Sequence, residues 1–264
     1  MKTITKTKKV KSADRIIQIL ELLASRSEGF THVEIASSLT IPKSSLTGLL
    51  KSLTDSDLIE IDLRIRTYSL SFGVLKYARA YHQKSDLIST AKPLLNRLVV
   101  RTNEACALTL RRGADVIVVW KVDDPNAGRP SLSLQLGQTG ALHASASGKA
   151  MLAFQSEKEI EQYLALLDNN YLSNRPEVNR TKLEAELQDI KTTKIGFSRG
   201  EMFADITAMG AAVRGEDGVI VAGISVSFTR NRETPQHVSD ISEALIAISD
   251  ELSLRLGYQG LEKS

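Results

Sequence analysis

Apolar and polar positions between residues 12 and 53 repeat with the period of an α-helix. After Ser12 the apolar positions follow the i, i+3, i+4, i+7 spacing of an amphipathic helix, at Ile16, Ile19, Leu20 and Leu23. Thr31 and Glu34 have the spacing of a capping box, which predicts a short second helix. Pro42 stands where the first residue of a third helix is expected. The segment is therefore predicted to form three short helices.

The predicted third helix has two faces of opposite character. Its apolar face consists of Leu46, Leu49, Leu50 and Leu53. The opposite face is small, polar and basic, contains no acidic residue, and carries Ser44, Thr47, Gly48 and Lys51. Two short helices joined by a tight turn are typical of a helix-turn-helix, whose second helix enters the major groove. The competing interpretation is the ordinary solvated face of a small helical domain.

Residues 59–70 change to a period of two, which predicts a two-strand ribbon. Its apolar positions, Ile59, Ile61, Leu63 and Ile65, alternate with charged ones. Arg64 and Arg66 fall near the predicted tip, where a wing would clamp phosphates or a minor groove. The lysines of the N-terminal arm are expected to be solvated: Lys6, Lys8, Lys9 and Lys11.

From Gly73 onward the pattern predicts a connector and a larger mixed domain. Residues 73–86 have helical spacing and are predicted to be a linker helix that also pairs with another subunit. A second helical stretch, Leu87–Val99, is expected to start afresh at Pro93. The strands predicted after it lie at 105–110, 116–122, 132–136 and 219–226, and the helices at 148–166, at 181–191 and before Gly257. This order fits an α+β domain with an antiparallel sheet, which divides the chain into residues 1–72, 73–86 and 87–264.

Charges are divided unevenly between these parts. The 264 residues include 34 basic and 31 acidic side chains. Residues 1–84 contain 14 basic and 8 acidic side chains, whereas the remaining 180 residues contain 20 and 23. A basic head on a mildly acidic body indicates nucleic acid as a partner of the N-terminal part alone.

The composition excludes several classes of protein. A single cysteine, Cys106, excludes an intrachain disulfide and a multi-cysteine zinc site, and the four histidines are scattered. No run approaches the ~20 apolar residues that a membrane span needs, and the N-terminal lysines precede no apolar signal segment. We expect a cytoplasmic protein without a metal or a cofactor.

The segment Ser145–Lys149 is the main candidate for catalysis. Its spacing fails the phosphate-binding loop, the Ser-x-x-Lys nucleophile and the nucleophile elbow. His143 lies close to Ser145 and Ser147 in sequence, which leaves hydrolysis of a small ester or amide as an alternative function, although no orienting carboxylate is evident. The run of small residues ahead of a helix instead favours an anion site made of backbone N–H groups.

Six segments of the chain carry a resemblance to a known family: Ser12–Leu23, Ile41–Ser45, Tyr68–Leu70, Leu142–Ala150, Ile195–Phe197 and Gly218–Ser227. The resemblance, from about Ser12 to Gly257, is to the IclR family of bacterial transcriptional regulators. It implies a winged helix-turn-helix, a linker helix and an effector-binding domain of GAF-like α/β fold. The partners it implies are double-stranded operator DNA, a small carboxylate-bearing or aromatic effector, and further copies of the chain in a homodimer or a dimer of dimers. We therefore expect a ligand-responsive regulator of a catabolic operon; a dimerising scaffold without a ligand is a further alternative.

The predicted site residues combine the exposed faces with this resemblance. DNA contacts are assigned to Lys43, Ser44, Ser45, Thr47, Gly48, Lys51, Arg64 and Arg66. Effector contacts are assigned to Gly140, Leu142, Ala146, Ser147, Ser198, Ala208, Ser225 and Ser227. Gly48 stands where the family usually has Arg, so we expect moderate DNA affinity. Gly140 and Ala208 are small, which predicts a roomier cavity for an aromatic or extended effector; residues 202–212 depart from the family pattern and leave one wall unassigned.

Overall fold

The computed structural model describes residues 10–83, 86–123, 135–168, 176 and 178–260, with the backbone alone at 81–83. These residues form two compact units, one within 1–84 and the other within 85–264. Lys6, Lys8, Lys9, most of the strand predicted at 132–136, and the end of the predicted linker helix lie outside the described residues.

The N-terminal unit packs three helices on a small antiparallel sheet. Its elements are α1 (Lys11–Ala24), β1 (Phe30–Thr31), α2 (His32–Ser38), α3 (Lys43–Asp55), β2 (Ile59–Asp62) and β3 (Thr67–Leu70), with strand order β1-β3-β2. The predicted apolar stripes form its core, including Ile19, Leu23, Leu46, Leu50 and Leu53. The two-residue strand β1 was not predicted, because two residues carry no periodic signal.

Capping explains where two of these helices begin. The hydroxyl of Thr31 accepts the N–H of Glu34, and the carboxylate of Glu34 accepts the N–H of Thr31 at 2.7 Å, so α2 begins with a complete capping box. Pro42 is the N-cap of α3 and not its first residue, so the helix begins one residue later than predicted, at Lys43. After β3, a 3₁₀ turn at Phe72–Val74 leads into α4 (Leu75–Gln83).

The C-terminal unit is a six-stranded antiparallel sheet with helices on both faces. Its strands are β4 (Ala105–Arg112), β5 (Asp115–Val122), β6 (Thr139–Ala141), β7 (Gly196–Arg199), β8 (Ile206–Arg214) and β9 (Ile220–Thr229), in the order β6-β5-β4-β9-β8-β7. Helices α5 (Asp86–Thr102) and α9 (Pro235–Arg255) bury one face in the largest core. Helices α6 (Ala146–Ala153), α7 (Glu157–Asp168) and α8 (Arg180–Thr193) belong to the other side.

Contrary to the prediction, no new helix begins at Pro93. Helix α5 runs through it, with Ile88, Leu94, Leu95 and Leu98 buried on one continuous face. An interior proline costs roughly 3 kcal/mol. Each buried aliphatic side chain contributes about 1.5–3 kcal/mol. Burial of this apolar face therefore stabilises the continuous helix by more than the interior proline destabilises it.

Two other helix predictions were also wrong in detail. The helix predicted at 148–166 is two helices, α6 and α7, separated at residues 154–156. Helix α8 is capped by Asn179, whose side chain accepts the N–H of Lys182 at 3.0 Å, and not by Thr181. Asn is as good a cap as Thr, so sequence spacing alone did not separate the two positions.

Candidate effector cavity and nucleic-acid interface

A cavity lies in the C-terminal unit between the start of α6 and the inner face of the sheet. Its volume is about 560 Å³, including the part open to solvent. Hydroxyl groups in its wall come from Thr109, Ser145, Ser147, Ser198, Ser225 and Ser227. Apolar side chains come from Val116, Val118, Met202, Phe203 and Ile206. Such a concave, mainly apolar wall with a few convergent polar groups is the usual form of a small-molecule site.

Helix α6 can begin directly on the sheet because the strands present glycine there. A Cβ added to Gly210 would lie 2.4 Å from the backbone nitrogen of Ser147, and one added to Gly223 would lie 2.9 Å from the Cβ of Ser147. The hydroxyl of Ser145 caps the helix by accepting the N–H of Gly148 at 3.0 Å. The first residues of α6, Ala146 and Ser147, therefore stand in the cavity wall. A helix N-terminus has unpaired N–H groups and a partial positive charge, both of which favour an anion.

Seven of the eight predicted effector residues line this cavity: Gly140, Ala146, Ser147, Ser198, Ala208, Ser225 and Ser227. Sheet register explains three of them, because Ser198 pairs with Ala208 and Ala208 pairs with Ser227 across β7, β8 and β9. Leu142 is the exception: its side chain is fully buried in the core beneath α6, with Val116 and Met151. The contact of the other seven with an effector stays a prediction.

Nine cavity residues were not predicted: Thr109, Val116, Val118, Gln138, Thr139, Ser145, Met202, Phe203 and Ile206. The period of two in β4 could have identified Thr109, since it shares a sheet face with Ala107. The loop after β7 carries no periodic signal, so nothing local indicated Met202 or Phe203.

The serines near α6 are engaged in structural hydrogen bonds. Ser147 Oγ lies 2.9 Å from Thr109 Oγ1, which also donates to the carbonyl of Gly223 at 3.1 Å. His143 is buried, with Nδ1 2.7 Å from the Tyr163 hydroxyl and Nε2 2.9 Å from the carbonyl of Pro176. Both ring nitrogens therefore have partners other than the serines, which argues against a Ser–His pair.

Cys106 is not a candidate nucleophile either. It is fully buried in the core between the sheet and α5 and α9. Burial raises the pKa of its thiol far above the usual range, so the thiolate is not formed at neutral pH.

Met202 occupies the space next to Gly140. A Cβ added to Gly140 would lie 2.6 Å from Cε and 3.3 Å from Sδ of Met202. A side chain from the loop after β7 therefore fills the space beside the small residue at position 140, and the preference for an aromatic or extended effector stays a prediction.

A buried ion-pair cluster connects that loop to α6. The ammonium group of Lys149 lies 2.6 Å from carboxylate oxygens of both Glu186 on α8 and Glu201 in the loop. The Lys149 side chain is 2% exposed, whereas the two glutamates are 29% and 28% exposed. Glu201 precedes Met202, so this cluster holds the loop at the cavity wall.

In the N-terminal unit, α3 presents most of the predicted DNA-contact residues to solvent. Lys43, Ser44, Thr47, Gly48 and Lys51 are exposed. Ser45 is half-buried, and its hydroxyl accepts a hydrogen bond from Arg15 Nη1 on α1 at 3.2 Å. Ser45 therefore braces α3 against α1 rather than joining the exposed face.

Thr47 has a neighbour that the sequence pattern did not indicate. His32, the first residue of α2, places Nε2 3.1 Å from Thr47 Oγ1, and the Thr47 hydroxyl donates to the carbonyl of Lys43 at 3.0 Å. The two helices of the motif are thus joined by a polar contact on their exposed side.

The wing is a turn with both predicted arginines exposed. The Arg64 N–H donates to the carboxylate of Asp62 at 2.8 Å, and this bond holds the pKa of Asp62 below its usual value. Arg66 has a φ of 54°, in the left-handed region that reverses the chain. Leu63 and Ile65 belong to the predicted alternation of apolar and charged positions, but the strand ends at Asp62 and both side chains are exposed.

The fold and the two sites define a DNA-binding regulator with a separate small-molecule domain. Residues 12–62 match the model of the IclR helix-turn-helix domain, and residues 79–254 match that of the bacterial transcriptional regulator IclR C-terminal domain. Together these matches cover most of the chain. The chain belongs to the IclR family of transcriptional regulators.

Relatives and solved structures agree with that assignment. The chain is 24% identical over 252 residues to the HTH-type transcriptional repressor AllR of Escherichia coli K12, covering 96% of this chain and 92% of the relative. It is 27% identical over 244 residues to the HTH-type transcriptional regulator BhcR of Paracoccus denitrificans, covering 92% and 86%. The crystal structure of the Thermotoga maritima IclR superposes with a TM-score of 0.77 at 23% identity, covering 94% of this chain and 99% of that one.

Among the residues that the structure describes, no helix is both long and apolar enough to cross a bilayer.

Proposed function

We propose that the chain is an effector-responsive regulator of a catabolic operon, and that a small organic acid with an apolar or aromatic body binds in the cavity beside α6. The observation that carries the proposal is the composition of the cavity wall. The start of α6 and the hydroxyls of Ser147, Ser225 and Ser227 suit a carboxylate, and Val116, Val118 and Phe203 suit an apolar body.

The experiment that tests this proposal is a thermal-unfolding screen of the full chain with aliphatic and aromatic carboxylates, repeated with the matching amides. A ligand that binds the folded state alone raises the melting temperature in proportion to the logarithm of its concentration. We expect stabilisation by acids and a weaker effect of the uncharged amides. A protein that no acid stabilises would instead be the ligand-free scaffold.

Effector control of DNA binding is tested with the same compounds. An effector shifts the DNA-competent population only if it binds the two states with different affinity. We expect an acid that stabilises the protein to change its operator affinity in a gel-shift titration. Stabilisation without any change in DNA binding would refute the regulatory coupling. Cleavage of the compound by the protein would instead support the alternative function as a hydrolase.

For the DNA interface, we propose that α3 enters the major groove and the wing contacts the backbone. The exposed Lys43, Ser44, Thr47 and Lys51 support base and phosphate contacts, with Gly48 allowing close approach, and Arg64 and Arg66 support phosphate contacts at the wing. Ser45 is assigned a supporting part through its bond to Arg15. Because phosphate contacts release counterions, operator affinity should fall steeply between low and moderate salt. Salt-independent binding would contradict this arrangement.

We propose further that the chain works as a homodimer or a dimer of dimers in the cytoplasm, where its operator lies. Phe72, Leu75 and Tyr77, in and before α4, are large apolar residues that remain exposed, with Phe72 83% exposed. Pairing of α4 with its copy in another chain would cover them, with the proposed domains 1–72 and 87–264 on either side of the linker. Light scattering of the full chain and of a Leu75→Glu variant tests this, and an unchanged mass would oppose pairing through α4.

A further inference from the structure

We propose that Met202 sets the size of the effector that the cavity admits, by filling the space that Gly140 leaves open. The inference rests on the proposed effector function and adds to it the residue that determines specificity. Its basis is a contact between two distant parts of the chain.

The contact between Met202 and Gly140 connects the two opposite edges of the sheet. Met202 follows β7, which is one edge strand, while Gly140 lies in β6, which is the other edge strand. The end of the Met202 side chain lies against Gly140, with a Cβ at that position only 2.6 Å from its Cε, and Val116 lies on the same side. Among the described residues, no strand pairing joins the two edges, and the Met202 side chain contacts Gly140 across the gap between them.

The backbone that carries Met202 is held in place, so the variable part is the side chain. The N–H of Gly200 donates to the carbonyl of Ile206 at 3.0 Å, and the N–H of Ile206 donates to that of Phe203 at 3.0 Å. Glu201 is fixed by the buried Lys149. Methionine has three rotatable bonds and adapts to irregular spaces. A larger effector therefore requires Met202 to swing aside, and a smaller one leaves it in place.

This arrangement predicts how the effector is oriented. A carboxylate at the start of α6, near Ser147, directs the rest of the molecule toward Val116 and Met202. The length of the apolar body is then limited by the volume of residues 140 and 202 taken together. A change at either position should alter the preference for long over short acids without altering recognition of the carboxylate.

The test compares acetate, butyrate, benzoate and 3-phenylpropionate by calorimetric titration of the full chain. In Met202→Ala we expect the ratio of 3-phenylpropionate affinity to acetate affinity to rise about tenfold, which corresponds to the burial of about two more CH₂ groups of the longer ligand. The matched control is Met202→Leu, which keeps the side-chain volume and should leave the ratio within about twofold.

Gly140→Ala provides the opposite change at the other edge. Its Cβ would crowd the end of Met202, so we expect a lower ratio, restored when Met202→Ala is added. A ratio that stays the same in Met202→Ala and Gly140→Ala, while acetate or butyrate still binds, would overturn the assignment of Met202. If no acid bound any of the proteins, the proposed effector class itself would be wrong, and this inference would fall with it.

Discussion

The approach of α6 to the sheet at Gly210 leads to a quantitative prediction. In Gly210→Ala, the new Cβ would lie 2.4 Å from the nitrogen of Ser147 and 2.7 Å from the carbonyl carbon of Ala146. Ordinary contacts begin near 3.4 Å, so α6 or β8 must move by about 1 Å, and neither neighbour is a flexible side-chain end. Overpacking of this kind costs about 1–3 kcal/mol. We expect the C-terminal unit to lose about 2–3 kcal/mol of unfolding free energy and its acid binding to weaken, because the first N–H groups of α6 are displaced.

Urea unfolding followed by two signals isolates this effect. Trp120 is the single tryptophan and lies on β5, so its fluorescence reports on the C-terminal unit, while circular dichroism reports on both units. Protein concentration is kept constant because an oligomer makes stability depend on it.

The matched control is Gly48→Ala, an exposed glycine inside α3 with nothing within 4 Å of the added Cβ. It should raise the stability of the N-terminal unit by about 0.5–1 kcal/mol through helix propensity. A Trp120 transition in Gly210→Ala that matches wild type would refute the close-packing argument.

Four further predictions concern both units. Lys51→Ala should weaken operator binding and lower the slope of log affinity against log salt by about 1 in gel shifts, with acid binding unchanged; loss of both activities would indicate misfolding. The space around Gly48 is open, so Gly48→Arg should tighten operator binding, most of all at low salt. An operator affinity that does not increase at low salt would argue against α3 facing DNA. Lys149→Met removes the cation that Glu186 and Glu201 share, although Lys182 still lies 3.5 Å from Glu186, and should lower the unfolding free energy reported by Trp120 by about 2–3 kcal/mol, less than for fully buried partners because both carboxylates are partly hydrated. Hydrogen bonds from the N–H of Thr31, from Arg26 and from the Thr31 hydroxyl lower the pKa of Glu34 from 4.5 to about 2, so the stability that they provide is present above pH 4.5 and is lost as the pH falls toward 2. Glu34→Gln should therefore reduce the loss of melting temperature between pH 4.5 and pH 2 in thermal unfolding, and an unchanged loss would contradict this account.

Local pattern was enough to predict the three helices that form the core of the N-terminal unit. Its core depends on apolar stripes and a capping box, which are short-range signals, and both Thr31 and Leu46 lie where the periodicity placed them. Errors arose where tertiary packing decided the outcome. Pro93 stays inside α5 because a long buried face spans it, and the wing turns at Asp62 because a carboxylate there accepts the N–H of Arg64.

The candidate sites were predicted only in part for a related reason. Resemblance located the start of α6 and the serines of β9, since those segments are recognisable one by one. It did not locate Met202, because its contact with Gly140 joins residues more than sixty positions apart. It did not show that the Leu142 side chain lies in the core, because a position in a sequence motif does not give the direction of a side chain. The bond between Ser45 and Arg15 was likewise not indicated, since Arg15 belongs to a different helix.

The way in which the two edge strands of the large sheet meet has a kinetic consequence. Among the described residues, Gly140 and Met202 meet through a side-chain contact and not through backbone pairing, so a ligand that entered there would break no described backbone hydrogen bond. Rotation of a side chain is far faster than the opening of paired strands. If the proposed effector enters there, we expect its binding rate to follow the ligand concentration, and a slower phase after binding would report a rearrangement of the protein.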